Sequence, residues 1–258
     1  MAPSVSVVKD ISMSYISSKI KADLLDRGAS LVGFADLIGI PSSIRHSKRF
    51  AVSIAVALDP SIIASIRTGP NKKYYAEYKR VNALLSDLAK YTARIIKDCG
   101  YQAIAKAPTN VGIDPKTQST ALPHKTIATK AGLGWVGKSA LLITKEYGAA
   151  VRLTTVLTEA PLKTATPVVH SLCGDCEICV DLCPGKAPSG KNWKVNLHRD
   201  SYFNAFACKR TARKLAKKIG IDNTICGICI SVCPWTIKYI KRRTVRRDVK
   251  GEQTDATV

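Results

Sequence analysis

The segment "CGDCEICVDLCPG", residues 173–185, carries four cysteines separated by two, two and three residues, and a proline follows the last cysteine. Thiolates are soft ligands that suit either zinc or an iron–sulfur cluster. Zinc sites typically combine two Cys-x-x-Cys pairs far apart in sequence, whereas the run seen here is typical of proteins that bind a cubane 4Fe-4S cluster. The spacing therefore predicts a cluster, and with it the fold of this part of the chain.

A second cysteine motif completes the pattern. In two-cluster ferredoxins the fourth cysteine of such a run binds the other cluster, so another set of cysteines is expected. The segment "CGICISVCPW", residues 226–235, supplies three cysteines and a following proline, and Cys208 is the one cysteine left after residue 172. We therefore predict a two-cluster module of the bacterial ferredoxin type over residues 166–240. The predicted ligands of its first cluster are Cys173, Cys176, Cys179 and Cys233, and those of its second cluster are Cys208, Cys226, Cys229 and Cys183.

The other readings of the cysteines fit less well. Disulfide scaffolds are usually short secreted chains, whereas eight of the nine cysteines here lie after residue 172. The first twenty residues lack a basic start followed by a long apolar run, so neither a signal peptide nor a spanning helix is predicted. We expect a cytoplasmic protein, and the predicted low-potential clusters would suit an anaerobic host.

The chain is strongly basic. Its 258 residues include 40 Lys and Arg against 19 Asp and Glu, a formal net charge of +21. Between Cys208 and Lys250 the chain has thirteen basic residues and two acidic ones, Asp222 and Asp248. Such a surface attracts nucleic acid, acidic proteins or anionic membrane surfaces. No nucleic-acid-binding motif accompanies the charge, so the sequence leaves open tRNA, an acidic redox protein and a merely solvated surface.

The residues before the cysteines alternate between predicted helices and strands, which indicates an α/β domain over residues 1–165. The stretch "RFAVSIAVAL" from Arg49 is almost wholly apolar, as in a central strand covered on both faces. Residues 71–100 have apolar side chains at spacings near 3.6, which predicts a long helix, and Cys99 at its end is expected to be a buried or half-buried structural thiol. Shorter helices are predicted over 14–28 and 121–132, shorter strands over 30–37, 101–106, 139–144 and 149–158, and a basic flexible tail over 241–258.

A family resemblance appears in three segments taken in order. "AGLGWVGKSALLIT", residues 131–144, is followed by "TEAPL" and then by the double cysteine module ending in "CPW". This order resembles the epoxyqueuosine reductases, which are related to the corrinoid-dependent reductive dehalogenases. The resemblance covers roughly residues 15–240. It implies a nitroreductase-like, corrinoid-binding α/β domain, cobalamin that receives electrons from the two clusters, and epoxyqueuosine in a tRNA anticodon as the substrate.

The resemblance also implies contacts to the corrinoid, on the segment after the Gly137–Lys138 pair and on the next strand. In this sequence the corresponding residues are Lys138, Ser139, Leu142, Ile143, Thr144 and Leu153. The alternative is that the glycines of "AGLGWVGK" form only a tight turn between a helix and a strand, and that "SALLIT" is a core strand. A flavin is the other cofactor that such a domain would hold.

This sequence departs from the family in two places. The family has an acidic proton donor shortly before the glycine-rich segment, and here the matching stretch "QSTALPHK" has Gln118 or its neighbours in that position. Asp114 and His124 are the nearest titratable substitutes, although His124 could equally begin a helix with its hydrogen bonds satisfied. We also expect a short form, because the family's C-terminal helical repeats have no counterpart in these residues.

Two functional hypotheses follow from the sequence. The first is an epoxyqueuosine reductase-like oxidoreductase that takes electrons from a low-potential donor through two clusters and cleaves a substrate bond reductively. The second is a redox accessory protein without a reaction of its own, which serves a partner enzyme. The missing acid favours the second hypothesis, and the glycine-rich segment favours the first.

Overall fold

A computed structural model describes the backbone of residues 5–109 and 112–252, and the side chains of residues 14–109 and 112–243. The chain divides into two compact units. The first contains the described residues up to Ala57 together with Arg80–Trp135 and Arg152–Val169. The second contains Leu58–Lys79, Val136–Val151 and the described residues from His170 onward.

The first unit is built on a four-stranded sheet with the strand order β1-β2-β6-β3. Strand β1 (Leu31–Asp36) pairs antiparallel with β2 (Phe50–Ala57), and β3 (Ala103–Lys106) pairs antiparallel with β6 (Val151–Thr158). The predicted central strand is confirmed as β2, whose residues 51–56 are all buried because their side chains are apolar or small. An unbroken apolar run of this kind is stable only when both faces of the strand are covered.

Helices cover this sheet. Helix α1 (Val5–Asp26) packs against β1, and α4 (His124–Lys130) packs against β1 and β2. The later part of α3 (Lys72–Asp98) belongs to the same unit, and Arg152 of β6 donates a hydrogen bond to its Asn82 side chain. A core cluster joins these layers through Ala35, Ala51, Ile127, Ala131 and Leu157. The approach of α4 to β1 requires glycine at position 33, since a Cβ there would lie 2.8 Å from the Ala131 carbonyl oxygen.

The second unit contains the cysteine motifs and mostly short helices. In chain order these are α2 (Pro60–Ala64), α5 (Ile178–Asp181), a 3-10 turn (Arg199–Ser201), α6 (Ala205–Lys218), α7 (Ile228–Ser231) and α8 (Pro234–Glu252), and α2 packs against α7 and α8. Strand β5 (Leu142–Ile143) pairs with β4 (Trp135–Val136). The short helices α5 and α7 both end before a proline, as the sequence predicts, and Pro234 also begins α8, where its missing N–H costs no hydrogen bond.

The structure divides the chain differently from the predicted domains. The last change of unit falls at Val169–His170, close to the expected boundary, but Leu58–Lys79 and Val136–Val151 also belong to the second unit. These segments are held there by hydrogen bonds to α8: the Tyr239 hydroxyl donates to the Leu58 carbonyl, and the Ala149 N–H donates to Thr236 Oγ1 at 2.9 Å. Such long-range bonds have no local signature in the sequence.

Two further expectations differ from the structure. The segment 241–258, predicted as a flexible tail, is helical as far as Glu252. Lys and Arg are good helix formers, and charge alone does not end a helix. Residues 253–258 lie outside the described part. The prediction for Cys99 is wrong, since this thiol is exposed. It lies just beyond the last residue of α3, where the apolar face of the helix no longer constrains it.

We predict that Gly148→Ala destabilises the second unit by about 2 kcal/mol more than Gly220→Ala does. Both glycines lie in the second unit and have positive φ, +59° and +74°, so both substitutions carry a similar left-handed backbone cost. A Cβ at Gly148 would in addition overlap the backbone nitrogen of Thr236, whereas nothing lies within 4 Å of one at Gly220. Denaturant unfolding of the two purified variants measures the difference, and equal losses would contradict the packing of this turn on α8.

Candidate iron–sulfur site

The structure brings the first predicted set of ligands together around one cavity. Cys173, Cys176, Cys179 and Cys233 line a space of about 100 Å³, although Cys233 is more than fifty residues from the others in sequence. The helix α5 begins between Cys176 and Cys179, and the turn before it is set by the Cys176 N–H, which donates to the Cys173 carbonyl at 3.1 Å. Cys229, which is assigned to the other set, also reaches the wall of the cavity.

Electrostatics shows the same grouping. Burial, together with the neighbouring thiols Cys173, Cys233 and Cys176, raises the pKa of the Cys179 thiol to about 12. Burial also raises the pKa of Cys233, with Cys173 as a contributing neighbour. Thiolates this close repel one another and lack water, so without a metal the thiols stay protonated. A cluster reverses this balance because thiolate–iron bonds compensate the lost hydration.

The second predicted set is also assembled. Burial, together with the neighbouring thiols Cys226 and Cys183, raises the pKa of Cys208 to about 11. Burial raises the pKa of Cys229 well above the ordinary value, with Cys226 and Cys208 as the first contributing thiols. Cys183 is the member that comes from the first motif, and its sulfur accepts a hydrogen bond from the Ala187 N–H at 3.4 Å. Cys183 of the first motif thus lies near Cys208 and Cys226, as the predicted crossing requires, and the assignment of the ligands stays a prediction.

The residues present fit two clusters. Gly137 lies against the first cavity, where an added Cβ would come within 2.8 Å of Ile143 and 3.5 Å of Cys173 Sγ. Gly185 follows Cys183 by two residues and lies against α6, where an added Cβ would come within 2.5 Å of Thr211 Oγ1. Among the described residues no three His, Cys, Asp or Glu side chains converge on one point as ligands of a single metal ion. The ligands of a 4Fe-4S cluster are arranged differently, since each of the four thiolates binds a different iron and together they surround the volume of the cluster.

A buried lysine in the wall of the first cavity forms an ion pair with a half-exposed glutamate. Lys138 is only 3% exposed, and its Nζ lies 3.4 Å from Glu177 Oε1. Glu177 stands between two of the cysteines, and its carboxylate packs against Gly190, where a Cβ would come within 2.7 Å. The pair places a positive charge next to a site that carries negative charge when thiolates bind iron. Sequence reasoning missed Glu177, although it lies inside the cysteine motif.

The residues expected to contact a corrinoid are mostly enclosed by protein. Lys138, Ser139 and Ile143 are buried and line the first cysteine cavity, and Leu142 and Thr144 are buried as well. Leu153, on β6 in the first unit, is partly exposed. The alternative reading of "SALLIT" as a core strand is thus supported for β5.

A second cavity, of about 300 Å³, lies within the first unit. Its wall is mainly apolar and includes Leu122, and three nitrogen-bearing side chains reach it, His46, Lys106 and His124. Lys106 Nζ lies 2.8 Å from His46 Nε2. Because an ammonium can only donate, Nε2 of His46 accepts this hydrogen bond and the ring is the Nδ1–H tautomer. No acidic residue is among the described residues that line this cavity.

His124 is fixed in the wall of this cavity by two hydrogen bonds. Its Nε2 lies 3.0 Å from the Ala107 carbonyl oxygen and its Nδ1 lies 2.9 Å from Thr155 Oγ1. A carbonyl only accepts, so Nε2 carries the proton and Nδ1 accepts from the Thr155 hydroxyl. Burial lowers the pKa of His124, and the nearby Arg152 and Lys106 lower it further, against the Ala107 bond, which raises it. The ring is neutral and its hydrogen bonds are satisfied, which supports a structural role.

Asp114, the other candidate for the missing acid, belongs to a turn. It pairs with Ser119 in an isolated bridge, and its carboxylate accepts hydrogen bonds from the Lys116 N–H at 2.8 Å and the Thr117 hydroxyl at 3.0 Å. Gln118, in the stretch that matches the family's acid, has a left-handed backbone with φ of +52° and donates to the Pro115 carbonyl. Asp114 is exposed and does not line the cavity.

Comparison with known proteins bears on the cysteine module first. A family model described as "4Fe-4S double cluster binding domain" matches residues 172–236. The match begins one residue before Cys173 and ends three residues after Cys233. It therefore covers all eight cysteines of the two groups.

Longer similarities extend into the first unit. The chain is 32% identical over 173 residues to the epoxyqueuosine reductase of Aliivibrio fischeri, which covers 67% of this chain and 45% of that protein. It is 30% identical over 178 residues to that of Synechococcus sp. (strain CC9605), covering 68% of this chain and 50% of that protein. The chain is a relative of the epoxyqueuosine reductases. It spans about half of the length of these relatives.

Solved structures share the fold with this relative of the epoxyqueuosine reductases. The catabolic reductive dehalogenase NpRdhA in complex with 3-bromo-4-hydroxybenzoic acid matches with a TM-score of 0.68 at 18% identity, covering 87% of this chain and 32% of that one. An epoxyqueuosine reductase with an epoxyqueuosine-modified tRNA-Tyr stem loop matches with a TM-score of 0.58 at 18% identity, covering 86% of this chain and 65% of that one. The mixed α/β arrangement is thus common to both groups.

We predict that Cys208→Ala lowers the iron content of the anaerobically purified protein from about eight to about four per chain, because one ligand of the second cluster is lost. The exposed Cys99 provides the matched control, and Cys99→Ala should retain about eight irons. Iron analysis and the visible spectrum measure the outcome. A Cys208→Ala protein with both clusters intact would show that the eighth ligand is misassigned.

We predict that the first unit loses stability as the pH falls below the ordinary histidine value of 6.5, because the fold lowers the pKa of His124. A base with a lowered folded-state pKa contributes stability above its unfolded pKa, and this contribution is lost as protons bind at lower pH. The His124→Gln variant should therefore show a weaker pH dependence of unfolding than the wild type. The exposed His170 serves as control, and a His124→Gln variant with the wild-type slope between pH 7.5 and pH 5 would refute the assignment.

Proposed function

We propose that the protein is an iron–sulfur oxidoreductase that passes electrons through two 4Fe-4S clusters to an acceptor held by its α/β part. The observation that carries this proposal is that eight cysteines gather in two groups within the segment that the double-cluster family model matches. Cys173, Cys176, Cys179 and Cys233 would bind the first cluster, and Cys208, Cys226, Cys229 and Cys183 the second. Because each group includes one cysteine of the other group's motif, the two clusters would be neighbours through which electrons move one at a time.

The reductive cleavage of a substrate bond is the reaction that the relatives favour. They are named epoxyqueuosine reductases, and one solved structure of that kind holds an epoxyqueuosine-modified tRNA stem loop. By analogy, the substrate of this protein would be a modified nucleoside in tRNA, and its net charge of +21 would favour binding to phosphates. A low-potential electron donor is then required as a second partner.

Cobalamin is the acceptor that the resemblance implies, in a nitroreductase-like scaffold. The segment expected to contact it is enclosed: Ser139, Leu142 and Thr144 are buried, and Lys138 is paired with Glu177. In this packing the segment offers side chains to the cysteine cavity and little free surface to a large ring. The residues present therefore fit iron–sulfur clusters better than they fit a corrinoid.

The cavity of the first unit is the place where we propose that a small substrate group binds. Its wall is mainly apolar and open to solvent, and Lys106 reaches it with His46 as an adjacent partner. The backbone that carries Lys106 is fixed, because the Thr154 hydroxyl donates to the Lys106 carbonyl at 2.6 Å and His124 donates to the next carbonyl. The Lys106–His46 pair can hold a proton at Lys106 Nζ, which gives this cavity a proton source in place of the family's acid.

A redox accessory role is the second candidate function. It is favoured by one observation, that the described lining of this cavity contains no carboxyl group, while Asp114 is engaged in a turn. In that case the clusters would pass electrons to a partner enzyme.

No helix among the described residues is both long and apolar enough to cross a membrane.

Metal analysis and cofactor titration test the proposed function. We expect the anaerobically purified protein to contain about eight irons per chain and to show a broad visible absorption that bleaches on reduction. Added cobalamin and flavin should be titrated separately, and cobalt measured in the same preparation. A spectral change with cobalamin alone would support the reductase, whereas eight irons with no response to either cofactor would favour the accessory role. A protein without iron would overturn both.

A further inference from the structure

One face of α6 is a continuous basic surface. The helix starts at Asn204, whose side chain accepts a hydrogen bond from the Ala207 N–H at 2.9 Å, and it contains no acidic residue. Its exposed residues recur at intervals of three and four, so they lie along one face, which we call the α6 basic face. This face consists of Phe206, Lys209, Arg210, Arg213, Lys214, Lys217 and Lys218.

The opposite face of the same helix supplies a proposed cluster ligand. Ala207, Ala212 and Ala216 are buried there, and Cys208 is half-buried beside them. Thr211 closes the contact with Gly185, which follows the cysteine that completes the same group. One helix therefore carries six cations toward solvent and one thiol toward the second cysteine group. An α-helix is about 10–12 Å in diameter with its side chains, so the ligand lies less than one helix thickness below the basic face.

We propose that the α6 basic face docks an acidic electron-donor protein, which delivers electrons to the second cluster at Cys208. This inference rests on the proposed function, because it needs the second cluster to be present. The reduced one-electron centre of the donor, an iron–sulfur cluster or a flavin semiquinone or hydroquinone, loses one electron. The oxidised cluster gains that electron, and no covalent bond forms or breaks.

The size and composition of the face suit such a partner. Fourteen residues of helix extend for about 21 Å, and weak redox complexes bury small interfaces, below about 1,200 Å². In such complexes complementary charge steers the encounter and raises the association rate. Phe206, at the end of the face nearest Cys208, is 42% exposed and offers an apolar contact beside the point of transfer.

An acidic protein fits this position better than RNA does. An electron donor must approach a cluster closely, and the α6 basic face lies directly over a cluster ligand, whereas phosphate binding gains nothing from that placement. Single-stranded RNA is held by basic residues together with several stacking aromatic side chains. The α6 basic face has one aromatic residue, at its end.

Charge reversal on this face tests the proposal. The variant Arg213→Glu/Lys214→Glu/Lys217→Glu leaves Cys208 and its adjacent residues unchanged. The matched control, Lys73→Glu/Lys90→Glu/Lys97→Glu, makes the same change in net charge at exposed positions on α3. The probe is a reduced plant-type 2Fe-2S ferredoxin, an acidic protein, and the measured quantity is the second-order rate constant of cluster reduction in a stopped-flow instrument at low salt.

We expect the α6 variant to be reduced at least about tenfold more slowly than the wild type, and the α3 control to change by less than about threefold. The difference should disappear near 1 M salt, where charges are screened within about 3 Å. Equal rates for the two triple variants would overturn the proposal. So would an α6 variant that keeps its ferredoxin rate but loses affinity for a tRNA stem loop, since the face would then bind RNA.

A second reductant separates this proposal from the proposed function. Photoreduced deazaflavin is small and uncharged at its reactive ring, so it should reduce the clusters of the wild type and of both variants at similar rates. Normal bleaching by deazaflavin with an unchanged ferredoxin rate in the α6 variant would refute the docking site alone. Absence of iron, or of any bleaching by deazaflavin in the wild type, would refute the proposed function itself. Equal iron contents in the three proteins show that the substitutions leave the clusters in place.

Discussion

The second unit depends on holding eight thiols together in a half-buried environment. Burial and mutual repulsion raise the pKa of Cys179 to about 12 and that of Cys208 to about 11, so these thiols are neutral near pH 7 when no metal is bound. Iron–sulfur clusters would convert the same arrangement into strong ligation, with proton release on binding. Cys183 lies in the first motif but belongs to the second group, and Cys233 lies in the second motif but belongs to the first group. Neither cluster site can therefore form without both motifs. Segments that pack on these motifs, such as the turn at Gly148, are thereby placed as well.

The clusters and the basic surface belong to one electrostatic arrangement. Basic side chains lie next to both cysteine groups: Lys138, which is buried beside the first cavity and paired with Glu177, and the α6 basic face on the helix that carries Cys208. Four thiolates and a cubane core carry net negative charge, and cations nearby favour the reduced state. Part of the chain's basic charge therefore lies close to where added electrons would reside. The proposed route of electron entry therefore depends on one helix, α6, which carries both Cys208 and the α6 basic face.

The sequence predicts those features that depend on local pattern. Cysteine spacing predicts both groups and their crossing, and the apolar run that becomes β2 predicts a central strand. Contacts between distant segments are not predictable in this way: Lys106 meets His46 across sixty residues, and Lys138 meets Glu177 across thirty-nine. The two titratable candidates chosen from the sequence, Asp114 and His124, prove to be a turn residue and a ring with both nitrogens engaged. Their proximity to the position of the family's acid gave no information about the hydrogen bonds that hold them.

The crossed assignment is tested most directly by pairing cysteine substitutions. If Cys183 and Cys208 bind the same cluster, the Cys183→Ala/Cys208→Ala protein should retain about four irons, as each single variant does, because the other cluster is untouched. The Cys183→Ala/Cys173→Ala protein should lose nearly all iron, since it lacks a ligand of each cluster, although both cysteines lie in one motif. The opposite result, with iron retained when Cys173 and Cys183 are removed together and lost when Cys183 and Cys208 are removed together, would contradict the account.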